Sequence, residues 1–181
     1  MTLEELKLAV LNLLEESDED ETDLTQDEDI AKKMNNAINK ILFELARMKK
    51  ILTKSTITTV EDEDYDLENL PDFYQLKVIK DVEFEKVDNY ITWLEDGTAR
   101  VFYYRYPTYI TDDIDDDFEL ELSLDALNIA PMGIAGTILL SDISNAYGKT
   151  YIAEYEKMLQ RLDSRISDTS ITFGGSGEPS E

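Results

Sequence analysis

Apolar positions recur at helical spacing towards both ends of the chain and give way to alternation in the middle. Leu3, Leu6, Val10, Leu13 and Leu14 step by threes and fours. They predict a first helix from Leu3 to about Glu16, opened by a Thr2/Glu5 capping box in which each side chain serves the other's backbone N–H. An isolated helix of that length is marginal in water, so its stripe must pack on a partner. The acidic stretch Glu15 to Asp23 then reads as a solvated loop. From about Asp27 the period resumes through Ile30, Met34, Ala37, Ile38, Ile41, Leu45, Met48 and Leu52. This predicts a second helix reaching about Leu52, with acids at its positive end and Arg47, Lys49, Lys50 and Lys54 at its negative end.

Thr56-Ile57-Thr58-Thr59-Val60 is β-branched and predicts a strand. Residues 74–84 predict one strand or a bent pair. Residues 89–94 and 98–106 flank Glu95-Asp96-Gly97, an Asp-Gly signal for a hairpin. About four or five antiparallel strands are therefore expected over 55–110, ended by Pro107 and the acidic run Asp112–Asp117. A third helix carries Pro131 in its first turn and continues to about Ser141, with Gly133 and Gly136 leaving one patch open to close backbone approach. A fourth spans about Ser144 to Ile166, striped by Tyr147, Tyr151, Tyr155, Met158 and Leu162. Residues 167–181 carry no period and read as a flexible tail. The expected fold is α+β: mainly an α-helical bundle of about four helices with an inserted small antiparallel β-sheet. Its parts are an N-terminal helical pair (1–54), the β insertion (55–110), a C-terminal helical pair completing the bundle (111–166) and the tail (167–181).

Composition narrows the chemistry. The 181 residues hold 41 Asp and Glu against 17 Lys and Arg, a formal net charge of −24, with no His and no Cys. Disulfides, thiolate metal sites, cysteine nucleophiles and imidazole bases are excluded. A hydrophobic fraction of 42% still fills a core, so the chain is not an acidic disordered segment. The acidic N-terminus lacks a signal peptide's basic region, and the apolar stretch Ile129–Leu140 falls short of the ~20 residues of a bilayer crossing. A soluble protein made in the cytoplasm, with no membrane partner, is expected. So strong a negative charge repels phosphates at long range.

No motif anchors catalysis. Gly148-Lys149-Thr150 has Ile143 where a phosphate loop requires Gly, and it lies within a predicted helix. The clusters Asp18–Asp23 and Asp112–Asp117 lack the central Gly of a calcium loop and read as solvated charge runs. No carboxylate pair stands out for acid–base work. A structural or binding role is expected rather than an enzyme, with no catalytic residues, metal site or cofactor. Val101-Phe102-Tyr103-Tyr104-Arg105-Tyr106-Pro107 has the texture of a base-stacking strand, but with one Arg among acidic neighbours it reads as cross-strand packing. Lys32, Lys33, Lys40, Arg47, Lys49, Lys50 and Lys54 gather seven of the 17 cations into one stretch. Two readings stand side by side: salt pairing along a helix face, or a basic face meeting an acidic face of a neighbouring copy.

Together these segments resemble the head–tail connector, or adaptor, proteins of tailed bacteriophages. The paired N-terminal helices, the passage Tyr65-Asp66-Leu67-Glu68-Asn69-Leu70-Pro71-Asp72-Phe73, the strand reaching Tyr103-Tyr104-Arg105-Tyr106-Pro107 with Ile110-Thr111, and the closing pattern from Gly133-Ile134-Ala135-Gly136 to Tyr151–Leu159 carry the resemblance. It spans most of residues 1–166 and is one of layout, without an invariant signature. It implies a homo-oligomeric ring, usually dodecameric, docked under the portal protein of the virion and joined to the next neck or tail-completion protein. Genomic DNA would pass through without specific binding. The tail, with Ser167, Ile171, Phe173 and Gly174, would reach the portal.

Physical chemistry meets the resemblance at one point. Each phosphate contact by Lys or Arg adds affinity through counterion release, so DNA slides best past carboxylates. Asp18, Glu19, Asp20, Glu21, Asp112, Asp113, Asp115, Asp116 and Asp117 are the candidates for such a wall. Copies at −24 each repel one another unless cations bridge them, a task suited to Lys32, Lys33, Lys40, Arg47, Lys49 and Lys50. The competing function is an acidic DNA mimic that inhibits a nucleic-acid-binding protein. The apolar stripes on all four helices offer more assembly surface than a mimic requires.

Overall fold

The computed structural model of the chain describes residues 1–15, 28–140 and 146–167. Helix α1 spans Leu3–Glu15 and α2 spans Glu28–Met48. Six strands follow: β1 (Ile51–Thr59), β2 (Asp64–Asp66), β3 (Phe73–Lys80), β4 (Phe84–Val87), β5 (Tyr90–Trp93) and β6 (Gly97–Arg105), with a 3-10 turn at Leu67–Asn69. The short α3 (Leu124–Leu127), then α4 (Ala130–Leu139) and α5 (Ala146–Ser167), complete the described elements.

Helix α1 opens as its residues dictate. The Thr2 N–H donates to Glu5 Oε2 at 2.9 Å, and the Glu5 N–H donates to Thr2 Oγ1 at 3.2 Å. Two further orphan donors of the first turn are met from afar, Leu3 N–H by the Phe118 carbonyl and Glu4 N–H by the Asp116 carbonyl, both at 2.9 Å. Leu3, Leu6, Ile38, Ile41, Leu45 and Ile134 are all but fully buried in one core joining α1, α2, α4 and α5. Helix α4 is central, because its small and aliphatic residues leave no polar face. A Cβ built on Gly136 would come within 2.9 Å of Ile152 Cγ1 and 3.1 Å of the Ile152 backbone N. A Cβ built on Gly148 would likewise come within 3.0 Å of Leu139 Cβ and the Leu140 backbone N, so packing explains the glycine of Gly148-Lys149-Thr150.

The expectation of a mainly helical bundle with one small sheet is overturned. The architecture is mixed, with two three-stranded antiparallel sheets ordered β1-β6-β3 and β2-β5-β4. The reason is that residues 51–105 bury an apolar face of their own. Ile79, Ala99, Val101 and Tyr103 from one sheet meet Ile91 and Trp93 from the other, with Leu67 and Leu70 beneath.

The Asp96-Gly97 hairpin is also corrected. Strands β5 and β6 belong to different sheets, and no described glycine has a positive φ. The loop anchors to the end of β1 instead: Thr59 Oγ1 donates to the Glu95 carbonyl at 3.0 Å and Glu61 N–H donates to Asp96 Oδ1 at 2.8 Å. The tight hairpin is β4–β5, where Val87 pairs with Tyr90 around Asp88, whose φ is 52°. Helix α2 stops at Met48 rather than Leu52, because Ile51 and Leu52 extend β1 to pair with Arg105 and Tyr104.

Candidate functional site

Lys33, Lys40 and Arg47 recur every seven residues along one side of α2, while the cations beyond Met48 turn elsewhere. Lys33 and Lys40 line a groove of about 230 Å³ between α2 and α4, whose floor includes Thr137 and Ile138. Arg47 is exposed further along α2. Lys49 turns to α3 and pairs with Asp125 at 3.4 Å. Lys50 leaves the helix altogether and donates to Gln75 Oε1 at 2.7 Å on the sheet. The Lys32 side chain lies outside the described residues.

On the sheet β1-β6-β3, strand alternation sends Val101 and Tyr103 into the core and Arg100, Phe102 and Tyr104 outward. The register then decides their company. Lys54 stands opposite Phe102, and Lys80 stands opposite Arg100. An irregularity between Leu76 and Val78 places Lys77 over the Tyr104 ring at 5.5 Å. Lys50 lies 5.0 Å from the same ring, and Lys80 lies 5.5 Å from the ring of Phe102. These are cation–π distances. Asp81 lies among these cations, pairs with Arg100, and is held below the ordinary carboxylate range first by that hydrogen bond. The aromatic strand is thus acidic in its sequence neighbours and cationic in its spatial ones. Lys77, Lys80 and Arg100 escaped the sequence reading; the alternation Arg100-x-Phe102-x-Tyr104 was the available signal.

The acidic run 112–117 braces the fold as well as meeting solvent. Asp116 pairs with Lys7 at 2.7 Å and lends its carbonyl to α1, while Asp112 accepts from Asn35 Nδ2 at 2.8 Å. Asp113, Asp115 and Asp117 are exposed. Just before the run, buried Asn39 clamps Ile110 twice at 2.7 Å, taking its N–H and donating to its carbonyl. Arg105 and Glu121 form a two-pronged pair at 2.5 and 3.2 Å where the sheet joins the helices, and Thr108 N–H adds a third bond to Glu121 at 2.8 Å. Burial works to raise the Glu121 carboxyl, but those donors outweigh it and hold it below the usual value. In the helical core, Tyr155 donates to Glu44 Oε2 at 3.1 Å, and burial pushes its hydroxyl far above the usual range.

Asp18, Glu19, Asp20 and Glu21, together with Ile171, Phe173 and Gly174, lie outside the described residues; Ser167 closes α5. Among the described residues no three acidic side chains gather as metal ligands, and no helix is long and apolar enough to cross a membrane. No family model matches the chain, and no curated protein is significantly similar to it.

Proposed function

We propose that this chain is a structural virion protein, a head–tail connector that assembles as a ring under the portal and extends the channel for DNA. One observation carries the reading: in a chain of net charge −24, five of the 17 cations are collected on a single sheet face. That distribution leaves most of the surface to carboxylates, past which DNA slides without adhering, and sets aside a cationic face for protein contact. The exposed carboxylates of Asp113, Asp115 and Asp117 fit the channel side in this reading.

Co-expression with the portal protein from the same genome, followed by native mass measurement and negative-stain imaging, tests it. A closed ring on the portal, with a lumen poor in Lys and Arg, is the expected result. Absence of any ring overturns the reading. Recovery of a host polymerase, nuclease or repressor in place of the portal would support the DNA-mimic alternative.

A further inference from the structure

The two sheets of the β half face each other across a shared core, so each has an outer face, and the two outer faces differ in sign. On β2-β5-β4, Asp64, Thr92 and Glu85 form one cross-strand row, and Asp66, Tyr90 and Val87 form the next. Ile91 and Trp93 point the other way, into the core, which sets these rows towards solvent. Val87 is 71% exposed and Tyr90 55% exposed, so an apolar pair stands at the hairpin end of this face, beside Asp66 and the row of Asp64 and Glu85. The face of β1-β6-β3 carries the opposite charge, with Phe102 and Tyr104 on its central strand among Lys50, Lys54, Lys77 and Lys80. Its carboxylate, Asp81, is engaged by Arg100.

We propose that the cationic face of β1-β6-β3 docks on the acidic face of β2-β5-β4 of a second copy of this chain. The inference rests on the connector reading for its setting and adds the surfaces that join neighbours in the ring. Like faces repel, so a two-fold pairing of identical patches is disfavoured. Opposite faces attract, and each copy carries one of each, on the outer side of a different sheet. Such a contact is heterologous and repeats head to tail, closing into a ring when the rotation per copy divides a full turn. It also answers how a chain of −24 self-associates: unlike charges meet at short range, while the repelling remainder is distant and screened by salt. An aromatic, cationic face also suits a single-stranded nucleic acid. The long-range field of the whole chain opposes that partner, whereas a second copy supplies carboxylates beside its own exposed apolar pair.

Full-length chain grown in light and heavy nitrogen, mixed and treated with a zero-length carbodiimide crosslinker, tests the contact. Mixed-isotope links from Lys54 or Lys80 to Asp64 or Glu85 are expected. Reversing one face (Lys54→Glu with Lys80→Glu) or the other (Asp64→Lys with Glu85→Lys) should remove those links and weaken assembly in sedimentation by at least about tenfold. An equimolar mixture of the two variants should restore assembly, since each then presents a face complementary to the other. The neutral pair Lys54→Gln with Lys80→Gln, checked for an unchanged circular dichroism spectrum, should fall between. Rings that form equally well from the Lys54→Glu, Lys80→Glu variant overturn the contact and leave the connector reading standing. A wild-type chain that stays monomeric alone and with portal overturns both. Oligonucleotide binding that this variant abolishes, without mixed-isotope links in the wild type, overturns the contact in favour of nucleic acid.

Discussion

The helical half and the β half handle the same surplus of acid differently. In the helical half, carboxylates and the carbonyls beside them act as braces. Asp116 caps α1 and pairs with Lys7, Glu121 grips Arg105 and Thr108, and Glu44 receives the buried Tyr155 hydroxyl. In the β half they make turns and polarise faces. The four described non-glycine residues with positive φ, Asp62, Asp72, Asp81 and Asp88, all lie between strands there. Aspartate tolerates the left-handed region better than most residues, because its short side chain bonds locally. A strongly acidic composition is therefore compatible with a well-braced fold when each carboxylate has a local task.

The deepest contrast is between the two cores, and single truncations separate them. Ile134 and Ile91 are both fully buried, and changing either to Ala should cost about 2–5 kcal/mol in denaturant unfolding. Hydrogen exchange should then differ. Ile91→Ala is expected to lower protection of β3 to β6 while α1, α4 and α5 hold, because its contacts lie in the smaller core. Uniform loss across both halves would show one cooperative unit and dissolve the comparison.

Glycines sharpen it next. Gly136→Ala drives a methyl against the Ile152 backbone and should cost about 1–3 kcal/mol, read as a lower melting temperature. Gly97→Ala in the β half meets the Val82 methyl at 3.2 Å, a side chain that can yield, so a clearly smaller loss is expected. A turn substitution comes third. Asp88→Val places a β-branched residue at φ 52° and should cost roughly 1–2 kcal/mol, whereas Asp88→Asn should be close to neutral.

The smallest effect changes with pH. Glu121 is held below its ordinary value in the folded chain, so its stabilisation is complete above the unfolded value of about 4.3 and is lost as pH falls through the folded one. Glu121→Gln should therefore be less stable than wild type at neutral pH, and the gap between them should shrink on acidification. A gap that stays constant would mean that the Arg105 pair contributes nothing through charge.

Much of the helical half was legible because its information is local. A 3.6-residue period and a capping box three residues long lie within a single stretch of chain, and α1 and α2 start where those signals put them. Sheet pairing is not local. Asp96-Gly97 carries a sound hairpin signal, yet the chain changes sheets there because Thr59 and Glu61 hold the loop to β1. The basic stretch was visible as composition, and only part of it keeps to α2, with Lys33, Lys40 and Arg47 on one side of the helix. A helix that ends at Met48 turns Lys49 towards α3 and Lys50 towards the sheet.

By itself the sequence determined the helical stripes, the absence of thiol and imidazole chemistry, and the scale of the negative charge, since each follows from residue identity or short-range spacing. Tertiary structure alone decided that β5 and β6 part company, that Lys54, Lys77, Lys80 and Arg100 converge, and that the β half shows opposite signs on its two sides. Those outcomes depend on which strands find each other and in what register. A strand's own alternation says which of its residues turn inward, but which distant strand it meets, and so the company its outward residues keep, is not written in any one stretch of chain.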